Sequence, residues 1–420
     1  MHSAPSSEEG VQAGNGGEEP EYFTVAVVSD LHAYAEAAGH DPKPSFLSTT
    51  PPNDQLQNPM KGLERLIAQN GLSANLLLCG GDLAHAADPA GVAFAWDRLQ
   101  ELKQELGAGQ IIATAGNHDV DSRPAQSKFD AKGRLQELEP LFPIEPLTRN
   151  DQYWSRHFAL AEQGPCRVLT LNSCAYHGFN GVDDEHEHEH GRVADRTVAR
   201  IRKELETLDP LAVNILLCHH HPDRFGVVDT EEASVMKGGD RLLTLLKDGQ
   251  YGRWTVIHGH KHYPHLDYGR GGAAMPVVLA AGSLCARPRD ELGTHARNQF
   301  YLLTYHVGEA QRLGLSLAGT FKSWRWEHNG GWLPSTLGSG LPHTGGFGFS
   351  GDTPAVARRV ADAHAEEPTG WEWSAMALRI PELQFLIPGD VALLATELES
   401  SLGYNVELDQ DNSIRRVIRP

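Results

Sequence analysis

The chain has 420 residues, 40% hydrophobic and 22% charged, enough apolar sequence for a large core and more than one domain. A formal net charge of −19 argues against a broad nucleic-acid surface while leaving a local groove open, and no apolar run approaches the roughly 20 residues that a membrane span needs. Five cysteines (Cys79, Cys166, Cys174, Cys218, Cys285) lie mostly in apolar runs without CxxC spacing, as expected of reduced core thiols in a cytoplasmic protein; a zinc half-site at Cys166 and Cys174 is the alternative.

Residues 1–20 carry neither apolar periodicity nor a signal-peptide pattern and are predicted to be a disordered tail. From Tyr22, YFTVAVVSDLH is an apolar strand that empties into Asp30-Leu31-His32. The proline-rich stretch 39–60 follows that motif directly, and a loop of this length suggests a lid or substrate wall. Met60 to Asn70 has helical spacing, Asn75 to Cys79 is a strand running into Gly80-Gly81-Asp82, and Val92 to Leu106 is an amphipathic helix capped by Gly107. Ile111 to Ala115 is a strand delivering Gly116-Asn117-His118-Asp119. This alternation, with polar residues at each strand end, is an α/β pattern.

The stretch 120–165 reads as helical or irregular, and Arg167 to Asn172 as a strand. A loop with alternating Glu and His (His186, His188, His190) leads to a helix from Asp195 to Leu208; it is read as solvated, with metal trapping as the alternative. Val213 to Cys218 is a strand emptying into His219-His220-His221-Pro222, Arg241 to Leu246 is helical, and Trp254 to Ile257 is a strand ending in His258-Gly259-His260-Lys261-His262. Pro276 to Ala281 and Gln299 to His306 add strands, and Leu313 to Trp326 looks like a hairpin. The predicted divisions are a main domain over 21–329, a Gly/Pro-rich linker over 330–353, and a small α+β module over 354–420. In that module Pro388 starts a helix, and strands are expected at Asn405 to Leu408 and Ser413 to Ile418.

Five apolar strand ends thus carry metal-ligand types: Asp30 and His32; Asp82; Asn117; one histidine of His219 to His221; His260 and His262. Each alone has a plain reading as a helix cap or surface turn, but five together point to a metal site. Carboxylate and imidazole without thiolate suit Mn, Fe or Zn acting on oxygen substrates, and a carboxylate shared by two ions can clamp a phosphoryl group.

The order D-x-H, G-D, G-N-H-D, H, G-H-x-H resembles the calcineurin-like metallophosphoesterase superfamily from Tyr22 to about Trp326. The resemblance implies a four-layer αββα sandwich of two mixed sheets with flanking helices. It implies two divalent or trivalent ions (Mn, Fe or Zn), with Asp30, His32 and His262 on the first and Asp82 bridging. Asn117, His260 and one histidine of the triplet would hold the second, His220 being favoured over His219 because relatives place the ligand two residues before a proline. It further implies that His118 protonates the leaving group while Asp119 orients its ring. The activity implied is metal-dependent hydrolysis of a small-molecule phosphoester, most like the bacterial cyclic-nucleotide phosphodiesterase branch; a phosphomonoesterase and a nuclease are the alternatives, and a silent binding scaffold is the alternative of another class. His85, Arg123 and Arg224 are further candidates to reach a phosphate, His258 reads as structural, and the tryptophans Trp324, Trp326, Trp332, Trp371 and Trp373 as packing. A protein partner or self-association through the C-terminal module stays open.

Overall fold

The computed structural model describes residues 21–178, 189–224, 234–269, 271, 274–288, 297–365, 370–409 and 413–419. The chain begins with β1 (Tyr22–Val28), α1 (Pro59–Asn70), β2 (Leu76–Cys79), α2 (Pro89–Glu105) and β3 (Gln110–Ala113). The segments α3 (Gly133–Gln136) and α4 (Leu147–Arg156) lead to β4 (Phe158–Gln163), β5 (Cys166–Leu171), α5 (Asp195–Leu205), β6 (Val213–Leu217), α6 (Gly239–Lys247), β7 (Trp254–His258), β8 (His265–Tyr268) and β9 (Val277–Ala280). There follow β10 (Asn298–His306), α7 (Val307–Leu313), β11 (Gly319–Glu327), β12 (Gly331–Pro334) and β13 (Thr344–Phe347). The C-terminal elements are α8 (Thr353–His364), β14 (Trp371–Glu372), α9 (Trp373–Arg379), α10 (Pro388–Ser400), β15 (Asn405–Leu408) and β16 (Ile414–Ile418).

One mixed sheet runs β12-β11-β10-β1-β2-β3 with β13 also on β11; the other runs β4-β5-β6-β7-β9-β8. Strand periodicity makes these into four layers. On β1, Val25 and Val27 join Leu76, Leu78 and Ile112 in a core shared with Val213, Ile215, Leu217 and Ile257 of the second sheet. The intervening Ala26 and Val28 face the other way, with Leu77 and Cys79, onto Leu63, Val92, Trp96 and Leu99 of α1 and α2. On the outer face of the second sheet, Leu169, Leu216 and Val256 pack on Ile201 of α5 and Leu242 of α6. Helix, sheet, sheet, helix is therefore the order through the molecule, the α/β sandwich expected. The parallel strands β1, β2 and β3 are buried on both faces, which is why their sequences are nearly continuous in apolar residues.

Several elements escape the sequence pattern. The edge strands β4 and β8 and the helices α4 and α8 lie in stretches without clear periodicity. The expected hairpin at 313–326 is the end of α7 followed by β11. The expected linker at 330–353 contains β12 and β13, both paired to β11. Its glycines serve close approach and not flexibility: a Cβ on Gly346 would stand 2.0 Å from the Gln384 carbonyl oxygen.

The C-terminal elements form a small sheet, β14-β16-β15, over their own core of Val360, Trp371, Met376, Leu394, Leu398 and Val417. They join the main body at β13, where Phe349 N–H donates to the Phe385 carbonyl (3.0 Å) and the Phe385 ring meets that of His306 (centroids 5.2 Å). His306 pairs with Tyr22 at the start of β1, whereas Asp30 follows its end. This contact therefore lies about 20 Å from the strand ends that carry the motifs, at roughly 3.3 Å per residue. Gly346→Ala is expected to cost about 1–3 kcal/mol in a denaturant melt, because backbone must move to admit the methyl group. Gly338→Ala, where an added Cβ meets nothing within 4 Å, is expected to be close to neutral.

Candidate metal centre

The ends of β1, β2, β3, β6 and β7 converge, and the residues that leave them turn sharply. Asp30, His32, Asp82, His260 and His262 all have φ between 50° and 73°, in the left-handed region that non-glycine residues avoid at a cost of about 1–3 kcal/mol each. Backbone bonds fix the turns: Asp30 N–H donates to Gly81 O (2.9 Å) and His32 N–H to Asp82 O (3.0 Å). Gly116 lets the third motif come close, since a Cβ there would stand 2.1 Å from Asp82 Oδ1.

Two groups of side-chain atoms result. In the first, His32 Nε2 and His262 Nε2 are 3.0 Å apart, and Asp30 Oδ1 is 3.3 Å from His262 Nε2. In the second, Asn117 Oδ1 faces His219 Nε2 (3.1 Å) and His260 Nδ1 (3.0 Å). Asp82 Oδ2 reaches both groups, 3.4 Å from His32 Nε2 and 3.5 Å from His219 Nε2, while its Oδ1 accepts from His118 N–H (2.8 Å).

The donor set fits cations. Burial holds His32 and His260 well below the ordinary imidazole pKa and lowers His219 as well, so these rings are neutral near pH 7. Burial pushes Asp30 up, but His262 and the Ser29 hydroxyl (2.5 Å) outweigh it and keep the carboxyl below its usual range. His219 Nδ1 lies 2.8 Å from Gly80 O and must donate to it, so Nε2 presents a lone pair to the acceptor Asn117 Oδ1. Lone pair against lone pair at hydrogen-bond distance is repulsive unless a cation lies between. The Gly80 carbonyl does for His219 what an outer partner does for a metal-bound imidazole, fixing its tautomer and direction.

His220, the histidine favoured from sequence, has Nδ1 2.9 Å from Ser173 Oγ, its ring packs on His260 with centroids 4.5 Å apart, and its buried Nε2 has no hydrogen-bond partner, with a ring nitrogen within 4.8 Å of those of His219 and His260. His219 Nε2 stands beside both Asp82 Oδ2 (3.5 Å) and Asn117 Oδ1 (3.1 Å). Two residues after β6, His219 already reaches the site, one position ahead of the histidine that counting back from Pro222 picks out. His118 packs edge-on against His32 (4.7 Å) and receives the Ala86 N–H at Nδ1 (3.4 Å), which leaves Nε2 to carry the proton of the neutral ring. Ala87 N–H also grips the His118 carbonyl (2.6 Å). Asp119, expected to orient that ring, accepts backbone N–H from Ala84 (3.0 Å) and Gly116 (2.9 Å), which ties the second and third motifs together; burial raises its pKa to about 7. The turn at 86–87, in left-handed conformation at both alanines, is a part of the site with no signal in the sequence.

The remaining candidates divide. His85 stacks on His118, and Arg123 lies on the same cleft. Arg224 is not among the residues lining that cleft. His258 is buried behind the site, where burial lowers its pKa to about 3. His186 and His188 lie outside the described residues, and His190 is buried with Nδ1 3.3 Å from Gly191 O. All five cysteines are buried and free; Cys166 faces the core between the sheets and Cys174 the core under α1 and α2, so they share no site. Trp324, Trp326 and Trp371 are buried, and Trp332 donates to Pro59 O (2.8 Å). Among the described residues, no helix is long and apolar enough to cross a membrane.

This chain belongs to the calcineurin-like phosphoesterase family, whose profile matches residues 23–264. Metal-dependent hydrolysis of phosphoesters is the activity that membership brings, and the match ends before β8 to β13, which complete both sheets. Among curated proteins, the chain is 25% identical over 258 residues to the DNA double-strand break repair protein Mre11 of Methanopyrus kandleri, spanning 59% of this chain and about half (49%) of that relative. Among solved structures it is similar to the purple acid phosphatase PPD1 from yellow lupin (Lupinus luteus) seeds, at 14% identity and TM-score 0.43, over 74% of this chain and 52% of the other. It is also similar to the phosphopantetheinyl hydrolase PptH from Mycobacterium tuberculosis, at 13% identity and TM-score 0.34, over 63% and 90% respectively.

His219→Ala and His220→Ala separate the two ligand choices. His219→Ala is expected to lose about one of two equivalents of Mn in elemental analysis after dialysis. His220→Ala is expected to keep both, with affinity weakened by at most about 10–100-fold, as for the loss of a residue behind a ligand.

Proposed function

We propose that this protein is a phosphodiesterase, with Asp30, His32 and His262 as ligands of one ion, Asn117, His219 and His260 as ligands of the other, and Asp82 shared between them. Two cations held there would supply an activated water and offset charge on the phosphoryl oxygens. The residues of the chain do the rest. The strained turns hold seven ligand side chains in place before substrate arrives, so no reorganisation is required during the reaction. His118, with Nδ1 occupied by the Ala86 N–H, directs the proton on Nε2 and serves as donor to the leaving oxygen. Asp119 keeps the His118 turn and the Asp82 turn in register.

The preference for a diester rests on the pattern GDLAHAADPAG followed by IIATAGNHD, most like the cyclic-nucleotide branch of the family, and the cleft bears on the size of the substrate. Beside His118 a cleft of about 150 Å³ continues past the metal-ligand cluster, walled by residues 85–87 and 117–125. A monoester carries one organic group, on its leaving oxygen, and a diester carries a second; the cleft beside the proton donor is placed for the group on the leaving oxygen. The cleft is short, which fits a small molecule better than a long duplex, as does the charge of −19.

Bis-p-nitrophenyl phosphate and p-nitrophenyl phosphate, assayed with added Mn²⁺, test the reading. The diester is expected to show the higher kcat/KM. His118→Ala is expected to lower kcat by about 10²–10⁴-fold, the usual worth of a positioned proton donor, with metal content unchanged. A strong preference for the monoester would make the protein a phosphatase, and efficient cleavage of single-stranded DNA over both would favour a nuclease.

A further inference from the structure

The cleft beside His118 has a chemical character of its own. The His85 ring stacks on His118 (centroids 5.2 Å, planes at 27°), and a ring nitrogen of each lies within 4.8 Å of the other and of one on His32. His85 Nδ1 is shielded from solvent yet has no hydrogen-bond partner. A polar atom in that state is normally satisfied by something that binds. Across the cleft, Asp121 spends both carboxylate oxygens on backbone N–H groups, those of Ala125 (2.8 Å), Gln126 (2.7 Å) and Ser127 (2.7 Å). That clamp shapes the loop carrying Arg123, which is exposed on the cleft rim and forms no ion pair among the described residues. In a chain of net charge −19, the cleft is thus lined by a free guanidinium and two imidazoles, and its one carboxylate is already engaged.

We propose that this cleft is the subsite for the leaving half of the substrate, and that it takes a leaving half bearing its own phosphate, held by His85 and Arg123. The inference rests on the hydrolase reading above and narrows its substrate class to compounds with two linked phosphates. Arg123 pairs with the anionic oxygens of the second phosphate, and His85 donates an N–H to the same group. Neither residue makes or breaks a bond; both are binding residues. The carboxylate of Asp121 has its oxygens turned to three backbone N–H groups, whose dipoles partly offset its charge.

A matched pair of esters tests this on the full-length, Mn-loaded protein: P1,P2-bis(4-nitrophenyl) diphosphate, whose leaving half is a phosphate ester, and bis-p-nitrophenyl phosphate, whose leaving half is a phenol. Arg123→Gln and His85→Leu are each expected to raise KM for the diphosphate about tenfold more than KM for the monophosphate diester, the worth of one charge-assisted hydrogen bond. Arg123→Lys and His85→Gln, which keep a donor, are expected to recover part of the loss. Equal effects on both esters, or none on either, would overturn the proposal. If the wild-type protein cleaves neither ester, the hydrolase reading is what fails. Calorimetric titration with P1,P2-diphenyl methylenediphosphonate then still decides the cleft: binding weakened in both variants supports it, and equal binding in all three proteins overturns it.

Discussion

Lone pairs facing lone pairs at the strand ends are the constraint to which the rest of this structure answers. Imidazoles, two carboxylates and an amide oxygen approach one another to between 3.0 and 3.5 Å, and the lone pair of His219 Nε2 set against Asn117 Oδ1 calls for positive charge between them. Bringing them that close requires left-handed backbone at Asp30, His32, Asp82, His260 and His262. Such strain persists only where surrounding structure over-determines it. Here the over-determination comes from crossed backbone bonds between the motifs and from the Asp119 carboxylate, which locks two of them together.

The two sheets provide the platform. Parallel strands buried on both faces are rigid in position, so the residues that follow them emerge at fixed places on a common edge. The first sheet brings Asp30, His32, Asp82, Asn117 and His118; the second brings His219, His260 and His262. The site therefore exists only when the inter-sheet core of Val25, Leu78, Ile112, Ile215 and Ile257 is formed. The C-terminal elements attach at the other end of β1, against β13, so they take no part in the metal-ligand cluster. Their contact buries Phe385 and Ile387 against the main body, which makes them an extension of its packing.

Much of this was legible in the sequence because long apolar strands end in short polar motifs, and β1, β2, β3, β6 and β7 fall where those runs predict. Less legible were features with no periodic signature. The strands β12 and β13 sit among glycines that read as linker, because a glycine placed for close backbone approach looks the same in sequence as one placed for freedom. The edge strand β4 is six residues long and follows α4 with one residue between them, and α8 packs mainly on other C-terminal elements. At the site, residue types gave the side chains that the strand ends bring together, but orientation was out of reach. Whether His219 or His220 points inward depends on the bond to Gly80 O, and the turn at Ala86 and Ala87 that holds His118 uses only backbone atoms.

The most direct measurement of the account is anomalous diffraction at the Mn edge from crystals grown with Mn²⁺. Two peaks about 3.5–4 Å apart on either side of the Asp82 carboxylate, one bounded by His32 and His262 and the other by His219 and His260, are the predicted result. A single peak, or none within reach of Asp82 at saturating Mn²⁺, would contradict it.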